Sequence, residues 1–202
     1  MAPVKNLFIA IALITSSMAF MPGQLASAQA TKIITYDQAR VMRDTTGGKD
    51  ITTKVTAIGT SMKTELETEG RALDTEGKSL ETRTANLTRE ALAADTTLRT
   101  QLETFGRKRQ AYQQKGQIRQ AELQRTEQTA WAEFFKVMQP VIQEVANERA
   151  AQVVLERSTM AYSAPNLDVT DLIISKMNAR SPSFTVTRAR IQAPQAPAET
   201  IQ

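Results

Sequence analysis

The chain has 202 residues, with 25 Lys and Arg against 21 Asp and Glu, no Cys, no His and a mean hydropathy of −0.33. Without Cys it has no disulfide staple, and without His it lacks the commonest general base and metal ligand. A formal net charge of +4 with evenly mixed acids is a mild basic preference, which argues against specific nucleic-acid binding.

The first 28 residues have the three-part order of a secretory leader. Lys5 gives a short basic start. Leu7 to Phe20 is an apolar run broken only by Thr15, Ser16 and Ser17, and Pro22-Gly23 ends it. Ala26-Ser27-Ala28 is a small-residue cleavage site before Gln29. The run is shorter than the ~20 apolar residues of a membrane span. The expectation is a signal peptide over 1–28, cleaved between Ala28 and Gln29, and an exported protein. Loss of Lys5 takes the formal charge from +4 to +3.

Thr31 to Tyr36 is β-branched and aromatic and reads as a strand. Asp37 can cap a short helix through Asp44. Thr45 to Asp50 reads as a loop. Its Gly47-Gly48-Lys49 is no phosphate loop, because Arg43 stands where the upstream Gly belongs and Asp50 replaces the metal-holding Ser or Thr. From Ile51 the pattern is helical: Ile51, Val55, Ile58, Met62 and Leu66 share a face.

A seven-residue repeat then runs Leu66-Glu67-Thr68, Leu73-Asp74-Thr75, Leu80-Glu81-Thr82, closing at Leu87. Seven is the coiled-coil period, but the second seam position holds Gly70, Gly77 and Thr84. This spacing predicts a long, wet helix loosely held to its neighbour. The glycines either flex the helix or let a neighbour approach closely.

Asn86 to Asp95 reads as a turn, with Thr88 and Asp95 as helix caps. A second helix follows through Leu98, Leu102, Phe105, Tyr112 and Ile118, carrying the basic residues Arg107, Lys108, Arg109, Lys115 and Arg119. It ends in a broad apolar stripe, Trp131, Phe134, Phe135, Met138, Val141, Ile142 and Val145, with Pro140 expected to kink it. Gln152 to Arg157 is a second strand and Met160 to Tyr162 a short third one. Asp168 opens a last helix through Met177. After Ser181 the chain is rich in Pro, Gln, Ala and Thr and reads as a disordered tail, 181–202.

Two helical stretches around one turn fold back as an antiparallel hairpin. The fold class is mainly α (α+β): a hairpin arm over 51–130, its tip near 86–96, on a small β-stranded body from 31–50 and 131–180. The body is too small and too apolar to stand comfortably alone. Self-association there is expected through Ile34, Trp131, Phe134, Phe135, Met138, Val141, Val153, Val154 and Leu155.

In this order, Pro140 to Ala146, Val153-Val154-Leu155-Glu156-Arg157, Tyr162 and Leu167-Asp168-Val169-Thr170-Asp171, preceded by leader, strand and polar hairpin, the chain resembles the Skp/OmpH family of periplasmic chaperones from about Thr31 to Arg180. The resemblance implies a homotrimer shaped like a jellyfish, whose β body joins three arms around a cavity. It implies a holdase that keeps unfolded outer-membrane proteins soluble without nucleotide, and it raises anionic lipid or lipopolysaccharide as a further partner. The ascending arm, Ile51 to Asn86, departs from the family's often strongly basic arms in being near neutral.

A holdase must cover apolar client surface without trapping it. Full burial yields about 25 cal/mol per Å², so a sparse seam serves better than a greasy groove. The expected client contacts are Leu66, Leu73, Leu80, Leu98, Leu102, Phe105 and Tyr112, with the five basic residues attracting acidic clients at long range. No catalytic, cofactor or metal residue is expected, since the carboxylates are scattered and no nucleophile has a partner. The rival reading is a periplasmic coiled-coil adaptor of the envelope, which should carry a fuller seam.

Overall fold

The protein is described by a computed structural model covering residues 31–192. The expected leader, with its cleavage between Ala28 and Gln29, and tail residues 193–202 lie outside the described residues.

Polar caps set the order of elements. Strand β1 (Ile33–Tyr36) runs into Asp37, which accepts the Arg40 N–H at 2.8 Å and starts α1 (Gln38–Asp44). Thr45 takes an extended backbone, and its Oγ1 accepts the Gly48 N–H at 3.1 Å to start α2 (Thr46–Thr84). The stretch expected to be a loop is therefore helical from Thr46 onward. A Cβ on Gly48 would lie 1.7 Å from the Met42 carbonyl oxygen. Glycine stands there because α2 leaves directly against the backbone of α1.

The tip matches the sequence reading. Thr88 caps α3 (Arg89–Ala94) by accepting the Ala91 N–H, and Asp95 caps α4 (Thr96–Glu148) by accepting the Leu98 N–H. At ~1.5 Å per residue the arm helices are roughly 58 and 80 Å long. Their pairing is antiparallel, since Glu65, Glu69 and Glu76 meet Arg119, Lys115 and Lys108 in reverse order. Pro140 lies within α4, which continues through it.

α4 ends where the Ala151 N–H bonds the Ala146 carbonyl at 2.8 Å and the Ala150 N–H bonds that of Asn147 at 3.0 Å. This is a Schellman stop, with Ala150 in the left-handed region at φ 49°. Strand β2 (Val153–Glu156) then pairs parallel with β1, Ile33 against Val153 and Tyr36 against Glu156. Parallel neighbours need a long crossover, and here the whole arm is that crossover.

The third strand does not form. The chain makes 3₁₀ turns at Arg157–Thr159 and Pro165–Leu167, and Tyr162 is 79% exposed. Glu156 accepts the Ser158 N–H at 2.8 Å and turns the chain away from the sheet. At the far edge of β1 the Val169 N–H bonds the Thr35 carbonyl at 2.9 Å. Helix α5 (Thr170–Arg180) follows and closes the core formed with Ile34, Val41, Ile51, Phe134, Met138 and Val141. Lys176 ties it to Glu144 and Glu148, each at 2.6 Å.

The expectation of disorder from Ser181 onward is corrected for 181–192. This segment lies along the root of the arm with Phe184 buried in the core. Its composition is that of a tail, but one aromatic and one arginine, spaced along extended backbone, anchor it.

Candidate functional site

Repeating glycines govern the surface of the arm. Gly59, Gly70 and Gly77 of α2 each face a large side chain of α4. An added Cβ would stand 3.2 Å from Leu123, 2.7 Å from the Tyr112 hydroxyl and 2.9 Å from the Phe105 ring, respectively. The glycines therefore seat side chains of the opposite helix, which resolves the two readings of them in favour of close approach. Gly106 and Gly116 on α4 have open space where a Cβ would go.

Seating large side chains on glycines leaves a furrow beside them. Its root end, about 360 Å³, is lined by Met62, Leu66, Tyr112 and Leu123 among others. It continues through a hollow of about 250 Å³ at Gly70, Leu73 and Tyr112 to one of about 270 Å³ at Leu73, Gly77 and Phe105. Shared walls, Tyr112 between the first two and Leu73, Asp74 and Arg109 between the last two, place all three on one face.

The expected client contacts divide accordingly. Leu66, Leu73, Phe105 and Tyr112 line this furrow half-buried, and Leu102 is also half-buried. Leu80 and Leu98 do not belong with them: at 5% and 2% exposure they pack inside the hairpin near its tip. The repeat alone could not separate the two sets, because inward and furrow positions share its period.

The basic patch is also divided. Lys108 pairs with Glu76 at 2.8 Å, Lys115 pairs with Glu69, and Arg119 pairs with Glu122 at 2.7 Å. Among the described residues only Arg107 and Arg109 of the five make no ion pair, and Arg109 sits 5.9 Å from the centre of the Phe105 ring. A cationic face five residues strong is thus corrected to two cations. Glu76 and Glu69, which neutralise Lys108 and Lys115, come from the facing helix, whereas Glu122 lies one turn from Arg119 on α4 itself.

In the body, Ile34, Phe134, Met138 and Val141 are buried within the chain and offer nothing to a second copy. The other residues expected to self-associate are half-buried. Trp131 and Phe135 with Met42 line an open hollow of about 500 Å³. Val153, Val154 and Leu155 lie on β2, whose outer edge has no partner strand among the described residues.

Sequence reasoning missed a charge cluster at the arm's root. Glu122 is 1% exposed. Burial pushes its carboxyl up, but the Ile191 N–H, Arg119 and Arg188 outweigh this and hold it below the usual carboxylate range. The Arg188 guanidinium likewise lowers Glu65, at 2.8 Å. The one signal for this cluster was a glutamate, Glu122, on the inward face of α4 with Thr126 one turn on.

The family profile described as outer membrane protein (OmpH-like) matches residues 32–177. Among solved structures, that of a candidate outer membrane chaperone (OmpH-like) from Caulobacter crescentus CB15 superposes with a TM-score of 0.72 at 27% identity, covering 80% of this chain and 92% of that one. The search of curated proteins gave no match.

Proposed function

The chain belongs to the OmpH-like family of outer membrane proteins, and from that premise we propose that it is an ATP-independent periplasmic holdase chaperone. It binds unfolded outer-membrane proteins between helical arms and keeps them soluble for assembly. The observation that carries this reading is the furrow: a shallow, partly apolar channel running along an otherwise polar arm. Each hollow contributes little, and a flexible client that touches several at once gains through effective concentration. The arm then holds without trapping. Its chemistry is non-enzymatic.

Three copies joined at the Trp131–Phe135 hollow and the open edge of β2 would set three arms around a common space. Leu66, Leu73, Leu102, Phe105 and Tyr112 act as client contacts, with Arg107 and Arg109 attracting acidic segments. The protein works in the periplasm after removal of residues 1–28. Native mass spectrometry of a urea-unfolded outer-membrane barrel protein, diluted into this chain without nucleotide, tests the proposal. A complex of three chains with one client is expected. Absence of any client-bound species overturns it. The adaptor reading is disfavoured by the seam itself, because Gly70 and Gly77 stand where a stable coiled coil needs apolar side chains.

A further inference from the structure

The family match ends at residue 177, yet the chain beyond it makes some of the most specific contacts in the protein. The Phe184 ring is 8% exposed and lies 5.5 Å from the Phe134 ring, centre to centre. The Phe184 N–H donates to Asp50 at 2.9 Å, and its carbonyl accepts from Lys54 Nζ at 2.7 Å. A Cβ on Gly47 would fall 2.6 Å from that ring. Arg188 reaches Glu65 of α2 at 2.8 Å and Glu122 of α4 at 3.2 Å. The Ala189 N–H donates to Thr126 Oγ1 at 2.9 Å, and the Ile191 N–H to Glu122 at 3.1 Å. Thr126 and Glu122 are each 1% exposed.

We propose that this face of the arm's root is a binding site for an extended polypeptide bearing an aromatic residue and, four residues later, an arginine, and that the chain fills it in cis with residues 184–191. The division of contacts supports a recognition site over incidental packing. Main-chain N–H groups at 184, 189 and 191 are read by side chains, which any extended peptide can satisfy. The two most specific side-chain contacts are an aromatic slot against Phe134 and an acidic fork made by Glu65 and Glu122, and between them Val186 packs half-buried against the core. Charge is complementary at the fork, since Glu65 and Glu122 together face one resident cation, Arg119, and Arg188 supplies the second, while Asp50 is already paired with Lys54.

Occupancy fastens the arm. Arg188 spans both helices, so it binds fully only when α2 and α4 hold their present spacing. Occupancy and closure of the root are therefore linked. Among the described residues, Nε of Arg119 and Nε of Arg188 are buried without a hydrogen-bond acceptor, so each guanidinium of the cluster keeps one unsatisfied donor. At about 100° per residue, Asp50, Lys54 and Glu65 lie on the side of α2 opposite Gly59, Gly70 and Gly77. The strap thus leaves the furrow open, and this inference does not depend on the holdase reading.

Hydrogen exchange in the full chain tests it first. Relative to their intrinsic rates, the amides of Phe184, Ala189 and Ile191 should exchange at least about tenfold slower than that of Arg190, whose N–H makes no bond among the described residues. Equal exchange across the segment overturns the proposal without any variant. Next, the full-length Phe184→Ala/Arg188→Ala double variant should release the strap. A fluorescein-labelled peptide of residues 181–192 should then bind this variant saturably, leave the wild type unbound, and lose binding when Glu122→Ala is added. Failure to bind the folded double variant, or equal binding to the wild type, also overturns it. No client is present in either assay, so both outcomes are independent of chaperone activity.

Discussion

Replacing glycines on the two arm helices separates close approach from flexibility. In a helix interior Gly→Ala contributes about 1 kcal/mol. Gly106 and Gly116 have open space around a Cβ, so Gly106→Ala and Gly116→Ala should each realise that gain. At Gly77 the new Cβ meets the Phe105 ring at 2.9 Å, and at Gly70 the Tyr112 hydroxyl at 2.7 Å. The contacting atoms are the far ends of side chains, so the rings swing away and the backbone stays. A fully buried aromatic is worth about 1.5–3 kcal/mol. These rings are half-buried, so losing their seats costs about 1–1.5 kcal/mol and cancels the helical gain. Gly70→Ala and Gly77→Ala should therefore fall within about 0.5 kcal/mol of zero or on the destabilising side. Urea midpoints at fixed protomer concentration, with exchange of arm amides as a local readout, check this. Equal stabilisation at all four sites would refute the seating of rings on Gly70 and Gly77 and make those glycines flexible joints.

Three further outcomes are expected. Glu65 and Glu122 are held below their ordinary value of about 4.5 in the folded chain by Arg188, Arg119 and the Ile191 N–H. Their contribution is present above that pH and is lost as pH falls through the lower folded values. Amide protection at Ala189 and Ile191 should thus persist at neutral pH and collapse as pH falls below the ordinary carboxylate range, before the arm helices melt by circular dichroism. Trp131→Glu should dissociate the proposed trimer by placing a charge at the half-buried hollow; an unchanged native mass would remove that surface from the proposed interface. Leu66→Ser with Leu73→Ser should weaken client holding while leaving native mass unchanged, and loss of oligomer with intact holding would make the furrow purely structural.

Strong periodicity and caps made the hairpin legible. Thr88 and Asp95 marked the tip, and the β-branched runs at Ile33–Tyr36 and Val153–Glu156 marked both strands. Their parallel pairing was not legible, because the partner lies across the whole arm. Thr45–Asp50 reads as a loop because Gly-Gly is usually punctuation; here it gives α2 room against Met42. Met160–Tyr162 has strand residues but no free edge that it reaches. The strap was least legible. It has no period, and its contacts come from main-chain groups, one ring, one half-buried valine and one guanidinium. Within the site, the leucine repeat located the arm's apolar positions but could not tell Leu80 and Leu98, buried in the hairpin, from Leu66 and Leu73 beside the furrow.

Holdase activity is tested by light scattering of a urea-unfolded outer-membrane barrel protein, diluted into buffer with and without residues 29–202. Suppression of aggregation without ATP is expected, saturating near one client per three chains. Undiminished scattering, in the presence of a chain shown by far-UV circular dichroism to be folded and helical, would contradict it.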